Sequence, residues 1–173
     1  MAIVNLEVEV SRRKEVLLDV MCAVGDVRDI GILQDIVYLA QRVNAIPKDV
    51  HFLFFESRGS LGEYWSNQLR TSLYHLENEG KVLDVSPRHN LVIAPSEKSR
   101  EVKYIDAERV IRIKNIPINK LQSMAMAVQL AEFYEVDLNN ENLSEECQLK
   151  LSELFSASPQ DASEFHAEYM QLF

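Results

Sequence analysis

Hydrophobic residues recur along the chain with the two periods that distinguish strands from helices. The segment AIVNLEVEV, at residues 2–10, alternates strictly between apolar and polar side chains, which predicts a half-buried strand. Ser11 can cap a helix that follows, because the apolar positions from Val16 to Val24 keep helical spacing. The chain is therefore expected to open with a strand and then a helix.

The next two elements are a very apolar helix and a short aromatic segment. Apolar side chains recur at helical spacing between Ile32 and Val43, which predicts a second helix over residues 29–43 that lies in the core. The run HFLFFES, at residues 51–57, is rich in aromatic side chains. It predicts a strand or a buried extended segment.

A third helix and a hairpin are expected after this segment. The helix should begin near Ser60 and end at Gly80, where a left-handed residue can close it. Its buried face is expected to carry Trp65, Leu69, Leu73 and Leu76. Two β-prone runs, at residues 82–85 and 91–94, flank the polar turn SPRHN and predict an antiparallel hairpin.

The last part of the chain is predicted to be helical after an ambiguous stretch. Residues 96–117 alternate in places like a strand, but Asp106 is equally suited to cap a helix, so both interpretations stay open. Apolar spacing then predicts a helix through Leu121. Two further helices are expected to begin at Ser144 and at Ser158-Pro159.

This order of elements predicts an α+β fold that is mainly α. Residues 1–95, with the N-terminal strand, three helices and a hairpin, have the element order of a winged-helix domain. Residues 96–117 are expected to connect it to an acidic helical region at residues 118–173.

Charge is divided unevenly between these parts. Up to Lys114, 16 Lys and Arg stand against 17 Asp and Glu, a net charge of −1. From Asn115 onward, 2 stand against 10, a net charge of −8. A protein that holds DNA by neutralising phosphates usually carries a basic face, so the C-terminal third should be repelled by DNA.

Composition and motifs also indicate which kinds of protein this is not. No apolar run approaches the roughly 18 to 20 residues of a membrane helix, and the first ten residues lack the basic region of a secretory signal. We therefore expect a cytoplasmic protein with Cys22 and Cys147 as reduced, buried thiols. The four histidines are widely spaced, and no phosphate-binding or nucleophile motif is present. No metal, cofactor, catalytic residue or enzymatic activity is predicted.

Candidate residues for nucleic-acid contact lie on and around the third helix. The basic side chains there are Arg58, Arg70, Lys81, Arg88 and His89. Acidic side chains crowd the same region, namely Glu63, Glu77, Glu79 and Asp84. The helix therefore presents one arginine among several acids. That favours a winged helix that docks onto protein over one that reads a DNA sequence.

The last helix is the candidate for protein contact. Its apolar and aromatic side chains form a narrow seam made of Phe165, Tyr169, Leu172 and Phe173. The seam either packs on the chain's own core or lies in a groove of a partner protein. The spacing of these residues is consistent with both interpretations.

Three segments resemble a group of small prokaryotic winged-helix proteins that includes the Panacea (SocA-like) antitoxin domain. LQDIVYLA, at residues 33–40, is similar to that group's LQKLVYLA-type helix, with Asp35 in place of the lysine. FFESRGS, at residues 54–60, resembles its aromatic FYGPYS-like segment but lacks the proline and the tyrosine. Residues 73–82 resemble its third helix, and the whole likeness covers residues 15–95.

The size and layout are also similar to the middle components of Lamassu-type three-component antiphage systems. That resemblance implies an accessory subunit that holds an SMC-like ATPase and an effector together. Our leading hypothesis is therefore a non-catalytic subunit that docks onto a larger protein. The alternative is a DNA-binding transcriptional regulator or antitoxin. Neither hypothesis involves a membrane or a small-molecule substrate.

Overall fold

The computed structural model describes residues 2–56, 64–85 and 90–173. The chain forms two compact units, residues 1–116 and 117–173. The described part is mainly helical with small antiparallel strand pairs, which confirms the prediction of a mainly α, α+β fold. None of its helices is both long and apolar enough to cross a bilayer.

The first unit contains four helices and four short strands in its described residues. The helices are α1 (Ala2–Val24), α2 (Ile30–Arg42), α3 (Asn67–Asn78) and α4 (Ala107–Lys114). The strands are β1 (Phe55–Glu56), β2 (Tyr64–Trp65), β3 (Val82–Asp84) and β4 (Leu91–Ile93). Helix α1 packs against α3 and α4, and α2 packs against α4.

Helix α2 is a central element of the core of this unit, as its apolar sequence predicted. The side chain of Asp29 caps it by accepting a hydrogen bond of 2.6 Å from the backbone N–H of Gly31. Its fully or nearly fully buried apolar side chains are Leu33, Ile36, Val37, Tyr38, Leu39 and Ala40. Burial of so many side chains on one 13-residue helix stabilises the unit mainly through the hydrophobic effect.

The predicted hairpin is present as β3 and β4. Val82 pairs with Ile93, and Asp84 pairs with Leu91. Leu91 also exchanges two backbone hydrogen bonds, of 2.8 and 2.9 Å, with Val27. Gly80 closes α3 just before the hairpin with a φ of +68°, a conformation that favours glycine.

The strand predicted at residues 2–10 is wrong, because this segment is the first part of α1. Ser11 lies inside that helix and does not cap it. A strand needs a neighbour for its backbone N–H and C=O groups, and no described strand pairs with this segment. A helix satisfies the same groups within its own turns, so the continuous helix replaces the strand.

The start of the third helix also differs from the prediction. Helix α3 begins at Asn67, and Ser66 caps it by accepting a hydrogen bond from the backbone N–H of Leu69. Trp65 therefore belongs to β2, where it pairs with Phe55, and not to the buried face of the helix. Ser60, the expected start, lies outside the described residues.

Residues 96–116 pack as part of the first unit and do not form a separate connecting segment. Asp106 caps α4 by accepting from the backbone N–H of Arg109, so the helical interpretation is confirmed for residues 107–114 of this stretch. The fully buried carboxylate of Asp19 accepts from the backbone N–H groups of Lys103 and Tyr104 at 2.7 and 2.8 Å. It also accepts from Arg100 Nε at 3.1 Å.

The second unit contains three helices, α5 (Ile118–Phe133), α6 (Glu145–Phe155) and α7 (Pro159–Met170). Ser144 caps α6, and Ser158 forms a reciprocal capping box with Asp161 at the start of α7. All three helices lie where apolar spacing and capping residues predicted them.

The seam expected on the last helix belongs largely to the core of this unit. Tyr169 is 1% exposed and Leu172 is 5% exposed. The hydroxyl of Tyr169 donates to Asn139 Oδ1 at 3.2 Å, and its ring meets that of Phe173 edge to face. Proposing Tyr169 and Leu172 as partner contacts is therefore wrong, because side chains buried in their own unit are not available to a partner.

Candidate functional site

Helix α3 has one buried face and one exposed face. Leu69, Ser72, Leu73 and Leu76 recur at helical spacing and are buried. The side chains exposed on the other face are Asn67, Arg70, Thr71, Tyr74 and His75. We call these five residues, together with Leu83, Asp84 and Val85 of the neighbouring hairpin, the α3–hairpin surface.

Side-chain amides hold α3 in place from its buried side. The backbone N–H of Ser66 donates to Gln34 Oε1 of α2 at 3.1 Å, which fixes the start of α3 against the core. The backbone N–H of Leu53 donates to Gln68 Oε1 at 2.8 Å. Gln41 accepts from the backbone N–H of Phe52 and donates to its carbonyl oxygen. The exposed face is thus presented by a helix that the bonds of Ser66 and Gln68 hold at its first turn.

The α3–hairpin surface exposes one aromatic and two aliphatic side chains. Tyr74 is 61% exposed, Val85 56% and Leu83 41%. A shallow depression of about 250 Å³ lies between the helix and the hairpin, lined among others by Trp65, Tyr74 and Asp84. Exposed aromatic side chains are enriched at protein interaction sites.

Arg70 is the one Lys or Arg side chain of this surface among the residues the structure describes. Its guanidinium lies 5.9 Å from the centroid of the Trp65 ring, within the range of a cation–π contact. Asp84 and Glu77 line the same depression. A surface with one guanidinium beside two carboxylates has little attraction for a polyanion.

Lys81 is held in a mixed cluster of charges. Its Nζ lies 3.1 Å from Glu79 Oε2 and 3.9 Å from Glu15 Oε1. Lys14 also bonds to Glu79. The hydrogen bond from Lys14, and then that from Lys81, hold the pKa of the Glu79 carboxyl below its usual range. The charge of Lys81 is therefore balanced within the protein.

Of the five residues predicted to contact nucleic acid, the structure places two. Arg70 lies on the α3–hairpin surface, and Lys81 lies in the charge cluster. Arg58, Arg88 and His89 lie outside the described residues. Among the protein-contact candidates, Phe165 and Phe173 are partly exposed, whereas Tyr169 and Leu172 are buried.

Sequence reasoning missed the apolar members of this surface. Tyr74 directly follows the buried Leu73, so its place on the outer face of α3 could have been read from helical spacing. Leu83 and Val85 follow the buried Val82 in the hairpin, and strand alternation places Leu83 on the opposite face.

The arrangement offers surface for binding. Within the described ranges, no three His, Cys, Asp or Glu side chains come together as a metal site would require. Cys22 and Cys147 are both half-buried free thiols. What the α3–hairpin surface can do chemically is bury an aromatic ring, two aliphatic side chains and one arginine against a partner.

Comparisons with family models, with curated proteins and with solved structures find no match for this chain.

Proposed function

We propose that this chain is a non-catalytic winged-helix accessory subunit that docks onto a larger protein through the α3–hairpin surface. Three helices followed by an antiparallel hairpin support the winged-helix assignment. The bridge between Val27 and Leu91 adds an extended segment beside β4, which extends the pairing of the wing.

The observation that carries the proposal is the chemistry of the exposed face of α3 and its hairpin. Tyr74 and Arg70 line the same depression, Leu83 and Val85 are exposed on the neighbouring hairpin, and Lys81 is balanced by Glu79 and Glu15. Tyrosine and arginine are the side chains that most often dominate the free energy of protein–protein binding. A nucleic-acid interface would need several cations at this position.

The wider setting follows from the resemblance to Lamassu-type middle components. On that basis the larger partner is an SMC-like ATPase, with an effector as a further component. The assembly would be a prokaryotic antiphage defence complex that acts on nucleic acid in the cytoplasm. In this proposal the accessory subunit contributes contacts and the partner contributes the chemistry on nucleic acid.

Co-expression with the products of neighbouring genes tests the proposal. We expect the tagged chain to retain one of them through affinity purification and to give a complex of defined mass by light scattering. Tyr74→Glu should weaken this complex about thirtyfold or more, because a charge replaces an interface aromatic. Binding is measured by titration with the purified partner.

The matched control is Ile111→Glu, since Ile111 is 41% exposed on α4 and lies outside the α3–hairpin surface. It should leave the affinity within about twofold of the original, because it lies away from the contact. A chain that retains no neighbouring gene product, or a complex indifferent to Tyr74→Glu, contradicts the proposal.

A DNA-binding regulator or antitoxin is the second candidate function. The observation in its favour is that Asn67, Arg70 and Thr71 share the exposed face of α3, and such side chains can bond to base edges. In that case duplex DNA would bind at low salt, and Arg70→Ala would weaken the binding and lower its salt dependence by about one phosphate contact.

A further inference from the structure

The second unit contains an apolar groove that the proposed docking of the first unit does not use. The groove has a volume of about 430 Å³ and is lined by residues of α5, α6 and α7. Its lining includes Met124, Met126, Ala127, Leu130, Phe155 and Phe165. Met126 is 41% exposed although it lies in this apolar setting.

The walls of the groove are two helix faces. On α5 the lining residues are spaced three and four apart from Lys120 to Leu130, and on α7 they are Asp161, Phe165 and Glu168. Residues at these spacings lie on one face of a helix. The α5 wall runs over the eleven residues from Lys120 to Leu130, which corresponds to about 15 Å or three helical turns. The small side chain of Ala127 lies midway along this wall and leaves room there.

The charged side chains that line the groove are Lys120, Asp161 and Glu168, and the unit that contains it is strongly acidic. The second unit has two lysines against ten acidic residues. Lys120 pairs with Glu168 at 2.6 Å, and Lys150 pairs with Glu146 at 4.0 Å. The hydrogen bond from the side chain of Ser158 holds the pKa of the Asp161 carboxyl below its usual range, so this exposed carboxylate at the groove is ionised at neutral pH.

We propose that this groove binds an amphipathic helix of a partner protein that carries lysine or arginine beside its apolar face. A three-turn helix matches the length of the α5 wall, and its apolar residues at i, i+3/i+4 and i+7 would bury Met126 and Phe165. Flexible methionine side chains adapt to such an insertion. The inference concerns the second unit alone and holds whether or not the α3–hairpin surface docks as proposed.

Charge decides between this occupant and the others that an apolar groove could take. A nucleic acid is repelled by the net charge of −8. A second copy of this chain has a net charge of −9 and brings the same acidic field. A helix with cationic flanks is attracted by that field while its apolar stripe fills the groove.

The experiment uses the full chain and three fluorescent peptides of about 14 residues, long enough to form three helical turns. The first has leucines at helical spacing with lysines beside them. The second has glutamates in place of the lysines, and the third has the first peptide's composition without the helical spacing. Fluorescence anisotropy gives the three affinities. We expect the first peptide to bind at least about tenfold more tightly than the other two, and its affinity to fall as salt is added.

The position of binding is read from the methionine methyl groups. In the unmodified chain with 13C-methyl methionine, the first peptide should shift the signals of Met124 and Met126. The signal of Met21, buried in the first unit, should stay in place. Because this readout needs no substitution, it decides the position even where a variant fails to fold.

A matched pair of variants completes the test. Ala127→Trp fills the groove and should reduce the affinity for the first peptide at least about tenfold. Phe133→Ala, at a site on α5 that is 74% exposed and outside the groove lining, should leave it unchanged. Equal binding of the lysine and glutamate peptides overturns the proposal, as do unshifted Met124 and Met126 signals or a folded Ala127→Trp chain with full affinity.

Discussion

The first unit holds 16 basic residues against 17 acidic ones, whereas the second holds 2 against 10. In the first unit, Arg100 forms ion pairs with two carboxylates, one of them fully buried. Its Nε lies 3.1 Å from Oδ1 of the buried Asp19, and its Nη2 lies 2.5 Å from Oε2 of Glu15. In the second unit both lysines have carboxylate partners, and the remaining acids leave a strong negative excess. In the first unit, contacts between charged side chains therefore stabilise the fold. In the second unit, the excess of acidic side chains produces a negative electrostatic potential around the protein.

The largest expected effect comes from removing the centre of the internal charges. Asp19→Ala should lower the free energy of unfolding of the first unit by about 3 to 5 kcal/mol. The substitution leaves Arg100 and the backbone N–H groups of Lys103 and Tyr104 without their buried acceptor. Urea unfolding followed by tryptophan fluorescence reports this unit alone, because Trp65 is the chain's one tryptophan.

Glu101→Ala is the matched control for that prediction. Its side chain is 81% exposed and meets Lys103 at 3.7 Å on the surface. Exposed pairs of this kind contribute about 0 to 1 kcal/mol. If Asp19→Ala and Glu101→Ala lower the free energy of unfolding equally, the buried charges of the first unit do not stabilise its fold. The comparison between the two units would then fail.

The second prediction compares a buried and an exposed aromatic residue of the second unit, and its expected effect on stability is slightly smaller. Tyr169→Ala should cost about 3 kcal/mol, because it removes a fully buried ring packed on Phe173. Phe133→Ala removes an aromatic ring that is 74% exposed and should cost less than about 0.5 kcal/mol. Thermal unfolding followed by circular dichroism compares the two. If the two substitutions lowered the stability equally, the assignment of Tyr169 to the buried core would be contradicted.

The third prediction concerns a carboxyl in the first unit. Burial, reinforced by the nearby Asp29 carboxylate, raises the pKa of Asp35 from 3.8 to about 7. Since the folded pKa lies above the unfolded one, the protonated form contributes stability that is present below pH 4 and lost as pH rises to 7. Asp35→Asn removes this loss and should stabilise the unit by about 1 to 2 kcal/mol at pH 7, a figure reduced for partial exposure.

Unfolding curves at several pH values between 4 and 8 give the measurement for Asp35. The advantage of Asp35→Asn should grow across this range and level off above pH 7. A constant difference between the two proteins at every pH would contradict the raised pKa.

The smallest predicted effect compares one helix cap in each unit. Ser66, which caps α3, is fully buried, whereas Ser144, which caps α6, is exposed. Each accepts one backbone hydrogen bond, at 3.3 and 3.2 Å. Ser66→Ala should cost about 1 to 2 kcal/mol and Ser144→Ala about 0.5 kcal/mol, since water can replace only the exposed cap. The reverse order in urea unfolding would contradict this account.

Most helices and the hairpin could be predicted from local signals in the sequence. Ser144 and Ser158 cap helices as expected, and Gly80 ends α3 with positive φ. The alternation at residues 2–10 was misleading, because alternation describes a strand only where a neighbouring strand is present to pair with it. Nothing local to that segment reveals whether such a neighbour exists.

The contacts that join distant parts of the chain could not be predicted. Asp19 and Arg100 are 81 residues apart, and no periodicity relates them. The same holds for Lys81 and Glu15, whose contact balances part of the charge of Lys81. A count of basic residues near α3 therefore overstates how many are available, because pairing within the fold decides that number.

The most direct test of the central claim is a titration of fluorescent duplex DNA with the full chain at about 50 mM salt, where phosphate contacts are strongest. The account predicts no saturable binding up to about 100 μM protein, and no change with Arg70→Ala, because the described α3–hairpin surface offers one guanidinium beside carboxylates. Micromolar binding that weakens with Arg70→Ala and with added salt would contradict it.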